Sequence, residues 1–193
     1  MIQELNESHI DGVKHLFYEN KKVMSSTKAF EPVGNRTEEK VRKYHYNFFC
    51  NHYLNNSEGD NSISYGWVTD KVESLIAFDL PVFEPTWYFT MFRGSGDGNV
   101  HIPELFEHAV RFNESIGRYK FYSCFNAKHA KKTHIRKFVF SDYVNERYDY
   151  FDDYIVPAYQ KCRYNIHDKY LFFGYTYPID VVVRCTFLKQ EYR

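Results

Sequence analysis

Apolar and polar positions along this chain switch repeatedly between strand-like alternation and the three-to-four spacing of helices. Ile2 to Leu5 alternates and predicts a short first strand. Asn6 and Ser8 each offer a side-chain oxygen to the open N–H groups of a helix start. Ile10, Val13, Leu16 and Phe17 follow at helical spacing, giving a helix over residues 8–20. Ser25-Ser26, Pro32 and Gly34-Asn35 mark a loop through 23–36. Thr37 followed by Glu38 and Glu39 puts acid at the positive end of a helix dipole. Val41, Tyr44, Phe48, Phe49 and His52 then share one face up to Tyr53, with His52 read as a boundary histidine.

A polar linker containing Gly59 leads to Ile63, Tyr65, Trp67 and Thr69, which alternate. Asp70-Lys71 supplies a tight turn, Leu75 to Val82 a return strand broken near Pro81 and Pro85, and Thr86 to Arg93 a third strand. Gly94 to Asn99 is rich in glycine. Pro103 suits the first helical position, and Leu105, Ala109, Phe112 and Ile116 line one face until Gly117 ends the helix. Tyr119 to Phe125 predicts a strand, Ala127 to Lys137 a basic helix and Tyr148 to Val156 another strand. An aromatic loop over 157–179 precedes a closing strand from Val181 to Leu188. No repeat or shift in composition divides the chain. The expectation is one α/β domain over 1–193, a mixed sheet of about seven strands flanked by about four helices.

Composition narrows the function classes. Aromatic residues make up 20% of the chain, which excludes wholesale disorder. The 25 basic and 25 acidic residues balance, which excludes a surface wholly given to nucleic acid or anionic membrane. Cys50, Cys124, Cys162 and Cys185 form no C-x-x-C pair, and the nine histidines show no H-E-x-x-H spacing, so no metal is expected. Residues 1–7 lack a basic and an apolar region, and no apolar run reaches membrane-spanning length. The expectation is an intracellular, cytoplasmic protein with reduced thiols and no membrane partner.

The segment Arg93-Gly94-Ser95-Gly96-Asp97-Gly98 follows a strand and precedes a helix. Glycines there let backbone approach a phosphate, and N–H groups at the helix start stabilise its charge. The segment and the element order resemble the GNAT N-acetyltransferase superfamily, whose pyrophosphate pattern is Arg or Gln, two residues, Gly, one residue, then Gly or Ala. The resemblance covers nearly the whole chain in layout, with specific residues confined to 91–138. It implies acetyl-CoA as cosubstrate and a small-molecule or peptide amine as acceptor. Backbone N–H groups near Met91 and Phe92 would polarise the thioester carbonyl, Arg93 to Gly98 would hold the pyrophosphate, and Asn126 stands where the superfamily often has Asn. Thr133 occupies the place of the usual acid Tyr, which leaves neighbouring His134 and downstream Tyr143 as candidate proton donors. Glu84 and Asp79 are candidate proton acceptors by their place on the central strands. Val100-His101-Ile102 departs from the pattern by displacing the helix start about one turn, and Asp97 adds a negative charge.

Those departures carry a second reading, a catalytically inactive binding or assembly protein with a GNAT-like fold. Lys128, Lys131, Lys132, Arg136 and Lys137 form a basic stretch that suits a phosphate, an RNA backbone or a solvated helix face. An RNA-binding role is the weaker alternative, since no RNP motif accompanies Tyr119, Phe121 and Phe125. Tyr148 to Tyr177 mixes aromatics with Asp149, Asp152, Asp153 and Asp168, which fits a cationic amine, the core or a homodimer interface.

Overall fold

A computed structural model describes residues 1–19, 38–55, 61–94, 100–126, 160–173 and 181–189. Strand β1 (Ile2–Glu4) passes through a 3-10 turn at Glu7–His9 into α1 (Ile10–Tyr18). Asn6 caps that turn reciprocally: its side chain accepts from the Ser8 N–H at 3.0 Å, and its own N–H donates to His9 Nδ1 at 3.2 Å. Helix α2 (Glu38–Phe49) ends in a π turn at Cys50–Leu54. Three strands follow, β2 (Ser62–Val68), β3 (Val72–Asp79) and β4 (Thr86–Gly94), then α3 (Ile102–Ser115). The last strands are β5 (Lys120–Asn126), β6 (Tyr164–Phe173) and β7 (Val181–Lys189). Together they make a seven-stranded sheet in the order β1-β2-β3-β4-β5-β7-β6, antiparallel throughout except where β4 meets β5.

Alternation along β3 divides the core between the two sheet faces. Leu75 and Ala77 are buried under α1 and α2 with Val13, Leu16, Phe17, Phe49, Tyr53 and Leu54. Phe78 lies on the other face, edge-on to Trp87 at 5.4 Å and near Phe112 of α3 at 6.3 Å. Helix α3 buries Ile102, Leu105, Phe106, Ala109 and Val110 there. On β2, a side chain at Gly66 would lie 2.7 Å from Leu5 Cδ2 and 3.0 Å from Val72 Cγ1, so glycine is what lets these two close over the strand.

The predicted elements correspond to this order, with three corrections. The expected loop over 157–179 contains β6, which runs as a hairpin partner of β7. Its alternation is broken by a register shift between Ile166 and Asp168, which hides the period in the sequence. On α2, Tyr44 and Phe48 are 56% and 43% exposed, because the helix is rotated so that Phe49, with Tyr53 beyond it, fills the core. Ile116 lies past the end of α3 and is exposed, where Gly117 takes a φ of +80°. The expected strand at 148–156, the basic helix at 127–137 and the loop at 23–36 lie outside the described residues.

Candidate functional site

The parallel pair at the centre of the sheet is a fork. β4 and β5 pair only from Thr86↔Lys120 to Phe89↔Ser123. Beyond that point β4 continues to Gly94 and β5 to Asn126 with no register between them. Each keeps its outer neighbour: Met91 opposes Ala77, Arg93 opposes Leu75, and Asn126 opposes Val182. The cause lies on β4. Phe78 opposes Phe89 while adjacent Ala77 opposes Met91, so Thr90 is an extra residue in the ladder. Such a bulge bends its strand and increases local twist, which carries β4 away from β5 at the residue where their pairing stops.

Large side chains fix the closed half of the fork. Trp87 is fully buried among Phe121 at 4.6 Å, Phe78 at 5.4 Å and Phe106 at 6.0 Å between ring centres. The Arg118 guanidinium donates to the carbonyls of Pro81 at 3.1 Å, Glu84 at 2.8 Å and Thr86, tying the start of β5 to the entry of β4. The part that opens is therefore confined to 90–94 and 124–126.

Of the residues the sequence singled out, Met91, Phe92, Arg93 and Gly94 lie on the free limb of β4. Arg93 differs from expectation. Its side chain is only 5% exposed and its guanidinium carbon stands 4.5 Å above the Phe17 ring, so it packs under α1 and does not extend into the loop. Cross-strand pairing with Leu75 places it on the α1–α2 face. Burial and the Arg93 charge hold the His45 imidazole down to about 4. Ser95, Gly96, Asp97 and Gly98, with His134 and Tyr143, lie outside the described residues. Asn126 ends the free limb of β5. Glu84 sits at the closed end, exposed, and accepts from the Thr86 hydroxyl at 3.1 Å and the Tyr88 hydroxyl at 3.3 Å. The structure does not bring it to the opening.

Helix α3 begins at Ile102, as Pro103 required, after a short 3-10 turn at Val100 and His101. His101 stacks on Trp67 with ring centres 3.9 Å apart, and both Glu73 and Glu104 stand 3.8 Å from its ring nitrogens. Two features were missed in the sequence. The Thr90 bulge lies in the apolar run Trp87-Tyr88-Phe89-Thr90-Met91-Phe92, where no period reveals an extra residue. The other is a bond of 3.1 Å between His52 Nε2 and Asp79 Oδ1, joining residues far apart in sequence. Among the described residues no group of His, Cys, Asp or Glu could hold a metal, and no helix is long and apolar enough to cross a membrane.

By sequence, no family model and no curated protein matches the chain. By structure, it is similar to a probable acetyltransferase of Staphylococcus epidermidis, with a TM-score of 0.57, 7% identity and 96% of both chains covered. The aminoglycoside 6'-N-acetyltransferase of Enterococcus faecium gives 0.57 at 15% identity, again over 96% of each chain. The spermidine N-acetyltransferase of Vibrio cholerae, solved with CoA and spermine, gives 0.53 at 12% identity over 100% of this chain and 96% of that one. With its forked parallel pair at the centre of a seven-stranded sheet, the chain has the fold of the GNAT N-acetyltransferases.

Proposed function

We propose that this chain binds an acyl-coenzyme A between the free limbs of β4 and β5 and transfers its acyl group to an amine. The observation that carries this reading is the bulge-induced fork, which leaves the β5-facing edge of β4 without ladder partners from Thr90 to Gly94. Backbone polar groups on a strand edge within a sheet call for partners. The amide-bearing pantetheine arm of coenzyme A fits that edge as an extra extended segment. Of the successive residues Met91 and Phe92, the one whose N–H points away from β3 then polarises the thioester carbonyl, a fixed donor where negative charge develops. Ser95, Gly96, Asp97 and Gly98, between β4 and the start of α3, form the pyrophosphate cradle, with Asn126 on the facing limb. His134 and Tyr143 are the proposed donors to the departing thiolate. Of the two carboxylates on the central strands, Glu84 is the weaker proton acceptor because it stands at the closed end, whereas Asp79 opposes Tyr88, one residue before the pairing stops.

Calorimetric titration with acetyl-CoA and with free CoA tests the reading. Saturable one-to-one heat with either supports it; no heat at millimolar ligand removes it. A specific observation favours the second reading, a catalytically inactive binding or assembly protein of this fold: the Glu73 and Glu104 carboxylates beside His101 place negative charge at the α3 N-terminus, where a pyrophosphate needs positive potential. Thiol release from acetyl-CoA in the presence of a primary amine separates the two.

A further inference from the structure

We propose that His52, oriented by Asp79, is the general base of the transfer, and that the groove beside it receives a cationic amine. The inference rests on the acyltransferase reading above and names the residue that accepts the proton. The groove has a volume of about 410 Å³ and is lined by Tyr44, Asn47, Phe48, Asn51 and His52. Two exposed aromatic rings and two carboxamides form its walls, and the half-exposed Asp79 carboxylate lies behind the imidazole. Aromatic faces and a carboxylate attract an ammonium group together.

The chain places His52 at this rim by a change of helical pitch. The π turn, closed by the Asn55 N–H donating to the Cys50 carbonyl at 2.8 Å, sends Tyr53 and Leu54 into the core and leaves His52 half-exposed. Phe48 stacks on the imidazole at 5.3 Å and Tyr53 meets it edge-on at 4.6 Å, so the ring plane is held from two sides. With Asp79 accepting, the proton resides on Nε2 and Nδ1 becomes the acceptor. Among the described residues Nδ1 has no hydrogen-bond partner.

Register places the pair beside the fork. Asp79 opposes Tyr88 on β4, and the next residue, Phe89, is the last to pair with β5. Adjacent strands lie about 4.8 Å apart, so Asp79 is roughly 10 Å or less from the point of divergence. Asp79 and Arg93 share the α1–α2 face with His52 and Phe17, and α2 runs past the fork from His45, near Arg93, to the His52–Asp79 pair. In the step proposed, the groove holds one ammonium group of a polyamine, and a second, neutral amine nitrogen of the same molecule attacks the thioester carbonyl. A C–N bond forms, the C–S bond breaks, the proton lost by nitrogen goes to His52 Nδ1, and one proton returns to the thiolate to give free thiol.

The test uses the full chain with acetyl-CoA and spermidine, reading thiol release, while calorimetry follows acetyl-CoA affinity in parallel. His52→Gln is expected to lower kcat at least about 100-fold, the usual range for a lost general base. Asp79→Asn is expected to lower it about tenfold or more, and both are expected to keep the wild-type acetyl-CoA Kd. Imidazole in solution should restore turnover to His52→Gly as its concentration rises. Wild-type rates in His52→Gln overturn the proposal. So does a folded His52→Gly that binds acetyl-CoA yet is not restored by imidazole. A wild-type chain that binds acetyl-CoA but releases no thiol with spermidine overturns it and leaves the binding reading standing. Absence of acetyl-CoA binding overturns both.

Discussion

Deleting Thr90 separates the fork from the rest of the fold. On β3 the adjacent residues Ala77 and Phe78 oppose Met91 and Phe89, so removal of Thr90 makes their partners adjacent too. Every other partner is retained: Tyr88 still faces Asp79, and Arg93 still faces Leu75. No residue changes face, which is the usual damage from a one-residue slip. The ladder gains about one backbone hydrogen bond, a net contribution near 1 kcal/mol, so stability should stay within about 1 kcal/mol of wild type or rise. The consequence for binding is opposite. A regular β4 continues beside β5 past Phe89↔Ser123, and the edge assigned to the pantetheine disappears. Losing two backbone hydrogen bonds at about 1 to 1.5 kcal/mol each weakens acetyl-CoA roughly 30- to 150-fold. Urea unfolding gives the stability and calorimetry the affinity. A deletion variant that is fully stable and binds acetyl-CoA with wild-type Kd would refute the reasoning.

Trp87→Ala empties the ring cluster of Phe78, Phe106 and Phe121 and should cost about 3–5 kcal/mol, read from the urea midpoint; a loss under 1 kcal/mol contradicts the packing. Gly66→Ala drives a methyl against Leu5 and Val72 and should cost about 1–3 kcal/mol in the same assay, with unchanged stability as the contrary result. Arg118→Ala removes a charged donor from three carbonyls at the entry of β4 and should cost about 2 kcal/mol, with faster amide exchange through 81–86. His45 is held down to about 4 by burial and Arg93, so between its ordinary value of 6.5 and about 4 the unfolded chain binds more protons. Stability present above that window is lost as pH falls through it. His15 and His108, also lowered by burial, add in the same direction. His45→Gln should flatten part of the fall in melting temperature between pH 7 and pH 4.5; an unaltered slope counts against this assignment.

How far the sequence reveals the molecule differs between fold and site. The elements up to β5 are written in local signals, such as Asn6 and Ser8 before an amphipathic run, Asp70-Lys71 between alternating strands, and Pro103 opening α3. β6 escapes because its extra residue near Ile166 and Asp168 breaks the alternation. The rotation of α2 escapes for a different reason: Tyr44 and Phe48 are as apolar as Phe49 and Tyr53, and only packing on Phe17 decides which pair is buried. At the site, the resemblance pointed to the end of β4 through Arg93 and Gly94, which the structure places on the limb that runs on without pairing to β5. The same resemblance assigns the Arg93 charge to the pyrophosphate loop, whereas the strand parity shared with Leu75 turns it under α1. A bulge at Thr90 and a bond between His52 and Asp79 are non-local facts, set by register and by helix position over the sheet, and no local motif announces either.

A crystal structure of the chain with coenzyme A tests the central claim most directly. The account predicts the pantetheine arm between Thr90–Gly94 and Cys124–Asn126, hydrogen-bonded to the free edge of β4, with its pyrophosphate over Ser95 to Gly98. Coenzyme A bound elsewhere on the protein, with β4 and β5 closed upon each other past Phe89 and Ser123, would contradict it.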